Sequence, residues 1–144
     1  MKKLTLVVLA FMMSAIAFAQ QKGGEEGAFR AYLYNDEYEV YLKIDFYGQH
    51  IVVPDQELYD ELPGYLGKKN NPFCWVITSA KVLDAQTAEI SLINDYGSED
   101  LTARLVCLND STYSLRQLEG STLKVPKKGR WMKLPKTFEL KRRK

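Results

Sequence analysis

Histidine occurs once in this chain, at His50, and cysteine twice, at Cys74 and Cys107. That scarcity removes whole classes of chemistry. With one histidine and no second cysteine pair, the chain does not support a structural zinc site of four histidine and cysteine ligands. Any Ser–His or Cys–His mechanism has to run through His50, and no Gly-x-Ser-x-Gly elbow offers it a serine. Asp45 and Asp55, its nearest acids, flank it five residues away on each side, so it reads as a surface histidine beside a turn. Long connections are also lacking. None of the gaps between the β-like runs from residue 73 onward leaves room for a crossover helix, which excludes parallel βαβ topology on length.

Long apolar runs are confined to the beginning. Met1-Lys2-Lys3 is a short basic region, Leu4 to Ala15 is apolar, and Ala17-Phe18-Ala19 puts small residues at the −3 and −1 positions of a cleavage site. This is the pattern of a signal peptide, 1–19, with Gln20 as the mature N-terminus. The apolar stretch falls short of the ~20 residues of a spanning helix. The expectation is export, to the periplasm or outside the cell, with no membrane span after cleavage. What remains is 125 residues, one domain by size, able to bury roughly two-thirds of its unfolded surface.

An excess of positive charge is missing too. Lys2 and Lys3 leave with the signal and no acid does, so 18 basic residues face 18 acidic ones. A nucleic-acid binder needs a net basic footprint, and that class is excluded. The charge is unevenly placed, however. Residues 25–62 carry ten acids and two bases, and residues 124–144 carry ten bases and one acid, Glu139. Either the first and last strands lie side by side with opposite charges facing, or the basic end is a surface for an anionic glycan or lipid headgroup. The last residues, 142–144, read as a loose basic tail.

What is present is β pattern. Residues 20–28 form a polar, Gly-rich leader. Over 38–46, Tyr38, Val40, Leu42, Ile44 and Phe46 share one face and Glu39, Tyr41, Lys43 and Asp45 the other, which is the period of a strand with one wet face. Further strands are predicted over 29–34, 73–83, 87–93, 101–108, 112–118, 121–125 and 130–141, the last split at Pro135. Turn residues separate them at short intervals. Residues 55–62 read as the one short helix, with Asp55 as cap and Pro63-Gly64 as stop. The fold expected over 29–141 is all-β: a small antiparallel up-and-down barrel of about eight strands with one short helix, or else an open sandwich. Closure removes exposed edges.

A signal segment followed by an all-β chain of this size resembles the small exported bacterial β-barrel proteins, loosely those of the lipocalin-like group. The Gly-x-Trp of that group precedes the first strand, whereas Gly129-Arg130-Trp131 lies near the C-terminus here. The resemblance implies a barrel and carries no site residue across.

Cys74 and Cys107 allow a bridge in an oxidising compartment, which would contribute ~3–4 kcal/mol in the chain-entropy model; both also fit buried free thiols. The oxygen-rich loop from Asn94 to Asp100 suits either calcium or an ordinary acidic hairpin. Paired carboxylates for a small hydrolase, Asp55 or Glu57 with His50, are the weakest constellation. Aromatic density between 29 and 65 is the strongest. Tyr41 and Tyr47 fall on a polar face, and Tyr32 and Tyr34 share a face with Arg30. Outward tyrosines suit sugar rings and protein partners, or they pair across strands to stabilise the sheet. The expected function is that of a non-enzymatic exported protein without cofactor or metal. It would bind a glycan or small amphipathic ligand through Tyr32, Tyr34, Tyr41 and Tyr47 or at the barrel mouth. The alternatives are a partner or inhibitor of another exported protein, and a small hydrolase.

Overall fold

The computed structural model describes residues 27–56 and 60–143. The signal segment, leader residues 20–26, Glu57 and residue 144 lie outside the described residues. Ten strands follow in order: β1 (Arg30–Asn35), β2 (Val40–Asp45), β3 (Gly64–Lys68), β4 (Asn71–Asp84), β5 (Thr87–Asn94), β6 (Asp100–Asn109), β7 (Thr112–Gly120), β8 (Lys124–Lys127), β9 (Arg130–Lys133) and β10 (Thr137–Arg143). Eight of them close a barrel in the order β1-β10-β7-β6-β5-β4-β3-β2, and β8 and β9 form a separate two-stranded hairpin. Every barrel pairing is antiparallel. The path is therefore an up-and-down meander, with one hairpin inserted before the last strand.

Alternation along the strands fills the interior. Val40, Leu42 and Ile44 on β2, Ala88, Ile90 and Leu92 on β5, and Leu101, Ala103 and Leu105 on β6 all point into one core. Eight strands enclose a space just wide enough for such side chains. Trp75 and Tyr113 are the largest fully buried members. The β8–β9 hairpin closes the end of the barrel at which β7 finishes and β10 begins. Leu123, Val125 and Leu134 add to the core there, and the Trp75 indole Nε1–H donates to the Lys124 carbonyl at 2.9 Å. At the opposite end Phe29 stacks on Phe46 at 5.5 Å, and the Tyr113 hydroxyl donates to the Ala28 carbonyl at 2.5 Å. Gly27 and Ala28, expected in the leader, belong to the folded barrel.

The seam between first and last strands forms as the charge pattern suggested, through Tyr32↔Arg143, Leu33↔Arg142 and Tyr34↔Lys141. The contacts are more aromatic than ionic. The Arg143 guanidinium lies 4.3 Å from the Tyr34 ring centroid and only 3.7 Å from the almost fully exposed Asp36 carboxylate. Arg142 and Arg143 are thus strand residues and not a loose tail.

Two expectations need correction: the helix over 55–62, and the lack of a strand after it, since β3 begins at Gly64 where only a helix stop was read. At the described ends of 55–62, Asp55 is in a turn, and Leu62 pairs with Ile51 in an isolated β-bridge; no described residue there is helical. The reason is tertiary. On the outer wall, Ile51, Val53 and Leu62, from the described parts of the β2–β3 connection, cover Tyr65, Cys74 and Val76 in a second apolar cluster. All five residues of β3 are consequently buried, on both faces, which erases the alternation that marks a half-exposed strand.

Candidate functional site

The four tyrosines singled out above have different settings. Tyr32, Tyr34 and Tyr41 come together on the outer wall of β1 and β2, where Tyr34 and Tyr41 are directly paired. Tyr32 stacks on Tyr41 at 5.5 Å and 10°, and Tyr41 meets Tyr65 edge-on at 5.8 Å. Burial, then the neighbouring Tyr41, raises the Tyr32 phenol above its ordinary value and raises that of Tyr65 much further. Tyr41 also lies over Gly67, its cross-strand partner; a Cβ on Gly67 would sit 2.4 Å from its ring. An aromatic covering a strand glycine in this way stabilises the sheet. Tyr47 stands apart at the barrel end, where its hydroxyl accepts from the Phe29 N–H at 3.1 Å. Each of the four therefore has a structural contact, while Tyr32 and Tyr47 keep large exposed areas.

His50 is open to solvent and its Nδ1 lies 2.7 Å from the Glu61 carboxylate, at another exposed position. No contact joins it to Asp45 or Asp55 among the described residues. The Asn94–Asp100 loop spends its oxygens internally. Asn94 Oδ1 accepts from the Ser98 and Glu99 N–H groups, Asp95 accepts from Gln56, and Glu99 accepts from Lys124. Among the described residues no three His, Cys, Asp or Glu side chains converge as metal ligands. Cys74 and Cys107 are free thiols, so the bridge allowed by the sequence is not made. They flank opposite ends of the 8-residue β5, roughly 25 Å apart along the strand direction, far beyond the ~7 Å Cα limit of a disulfide. Burial pushes the Cys74 thiol up to about 12.

A different aromatic group stands at the hairpin-capped end. Phe73 at the start of β4, Tyr96 in the β5–β6 loop and Trp131 on β9 form a triangle. Phe73 and Trp131 meet at 5.1 Å, Phe73 and Tyr96 at 5.9 Å, and Tyr96 and Trp131 at 6.4 Å. Phe73 is buried, whereas Tyr96 is 72% and Trp131 47% exposed. The cleft they line has a volume of about 380 Å³, with Asn71, Asp95 and Arg130 as its polar groups. Lys124 Nζ sits 5.6 Å from the Trp131 ring centroid and so fixes the indole from one side. Nothing in the core requires Tyr96 or Trp131 to be aromatic. Their sequence separation hid the cluster; the one available signal was Tyr96, an aromatic in the middle of a polar turn loop.

The hairpin that carries Trp131 is held rigidly. Lys128 and Gly129, at φ 53° and 79°, make the tight turn that suits strand twist. Gln117, buried on β7, clamps the base of the hairpin. Its amide donates to the Pro135 carbonyl at 2.9 Å and accepts from the Leu123 N–H at 2.7 Å.

Comparison of the chain with protein-family models, with curated proteins and with solved structures finds no match.

Proposed function

We propose that this is an exported, non-enzymatic binding protein whose ligand is a glycan held at the Phe73–Tyr96–Trp131 cleft. The observation that carries the reading is the exposure of two large aromatic side chains, on a rigid hairpin and a hydrogen-bonded loop, beside polar groups. Sugar rings present apolar C–H faces and hydroxyl edges, and an aromatic surface flanked by amide, carboxylate and guanidinium groups matches both. The packed interior, capped at one end by a hairpin and at the other by Phe29 and Phe46, favours a surface site over the barrel mouth. The open, solvent-exposed setting of the His50–Glu61 pair supports binding over hydrolysis. The tyrosine wall is a poorer candidate because its rings are spent on each other, on Gly67 and on Arg143.

The two tryptophans make the test direct. Trp75 is buried and Trp131 is exposed, so quenching or a blue shift on adding oligosaccharide reports the cleft. Tyr96→Ala by fluorescence, and Trp131→Ala by calorimetry since it removes the reporter, are expected to weaken binding at least tenfold, and Tyr32→Ala to leave it unchanged. An unchanged Kd in Trp131→Ala, or loss of binding in Tyr32→Ala alone, would move the site to the tyrosine wall.

A further inference from the structure

The geometry points to an acidic glycan, a polymer of uronic acids or sulfated sugars, as the ligand of this cleft, with sugar rings on Tyr96 and Trp131 and anionic groups on the bases around them. This inference rests on the glycan reading above and adds the charge of the ligand. The hairpin and its flanks, from Lys124 to Lys136, carry six basic residues and no acid. Only Lys124 has a carboxylate within ion-pair distance among the described residues, Glu99 at 3.0 Å. Lys127, Lys128, Arg130, Lys133 and Lys136 have none. Arg130 itself lines the cleft, and exposed Lys127 and Lys128 lie in the turn between its lining residues Pro126 and Gly129.

The turn between β3 and β4 adds to the same rim. Lys68 Nζ lies 3.2 Å from the Glu39 carboxylate. Lys69 and Lys127 reach the same carboxylate with their fields, and the three together lower its pKa. Three lysines around one acid leave a local excess of positive charge next to Asn71, which lines the cleft. Asp95 is the one carboxylate of the lining, and it is engaged by the Gln56 amide. The sequence placed ten bases in residues 124–144 as one run. The fold divides them: Lys141, Arg142 and Arg143 go to the seam against Tyr34, Tyr113 and Asp36, while Lys127, Lys128 and Arg130 stand without an ion-pair partner among the described residues, next to the Trp131 cleft. Free cations around exposed aromatic rings give both stacking and charge recognition.

The test measures binding of the full mature protein to polygalacturonate, dextran sulfate and uncharged dextran by calorimetry, at low and high salt. Phosphatidylglycerol vesicles serve as the lipid comparison. The expected result is at least tenfold tighter binding to the two charged polymers than to dextran, weakening as salt rises. The triple variant Lys127→Ala/Lys128→Ala/Arg130→Gln should lose that preference, with its circular dichroism unchanged. Trp131→Ala should weaken binding to the charged polymers as well. A Lys43→Ala/Lys81→Ala control, which removes exposed charge elsewhere on the barrel, should bind as the parent does. Equal affinity for charged and uncharged polymers would overturn the inference and leave the glycan reading intact. No binding to any polymer would overturn both, as would binding to the vesicles alone. Charged-polymer binding indifferent to Trp131→Ala, or lost equally in the control, would reduce it to unspecific ion exchange and overturn the inference.

Discussion

Gln117 shows how much one side chain can decide. It is a buried polar residue whose side-chain amide bonds three backbone groups, at Leu123, Leu134 and Pro135, on both sides of the hairpin. In Gln117→Leu the Leu123 N–H and the Pro135 carbonyl lose their partner in an apolar setting. Each orphaned group costs about 1–3 kcal/mol, so a loss of about 2–6 kcal/mol is expected from urea denaturation. A loss near zero would mean that water enters and replaces the amide. Tyr41 makes the complementary point. It looked out of place on a polar face, and it is there because Gly67 opposite has no side chain of its own. The phase error was legible in the sequence; its cause was not, since Gly67 had not been placed on a strand.

Among the elements, β10 closes the barrel with little to spare. It has five paired positions against β7 and three against β1. Truncation after Leu140 removes all three of the latter, together with the Arg142 hydrogen bond to the buried Tyr113 hydroxyl. The seam is expected to open while β4–β6 stay paired. Hydrogen exchange should therefore speed up at the β1 amides facing β10 far more than at β5, with a lower melting temperature. Uniform protection would show that closure contributes little. The strands with one wet face, β2, β5, β6 and β7, were readable within one or two residues of their ends. The missed β3 was not, because Ile51, Val53 and Leu62 from the preceding connection cover its outer face at Tyr65. The same connection explains why a Leu58–Leu62 spacing that suits a helix does not organise the described ends of that segment.

At the scale of the whole molecule, several acids are buried in their neutral form. Cys74 and Tyr113 hold their protons to about 12, chiefly through burial, against ordinary values of 9 and 10. Tyr65 shifts in the same direction. Between those values the unfolded chain has released protons that the folded chain keeps, so stability falls as pH rises. Urea midpoints should decline steadily from pH 9 to pH 12. A flat profile would place these groups in contact with water. On the acid side Glu39 works the other way: its lowered pKa favours the folded state above 4.5, and that contribution disappears as pH falls.

Period-two alternation and short turns determined an all-β, antiparallel, up-and-down chain of about eight strands and left barrel and open sandwich as alternatives, because those patterns depend only on neighbours a few residues apart. The opposite charge of the two ends anticipated their pairing for the same kind of reason. The tertiary structure alone decided the rest. It divided the basic run between seam and hairpin, set the two cysteines at opposite ends, and covered one wall with a returning connection. It also brought Phe73, Tyr96 and Trp131 into one cleft. These outcomes depend on which distant segments meet when the barrel closes, and no local spacing encodes them.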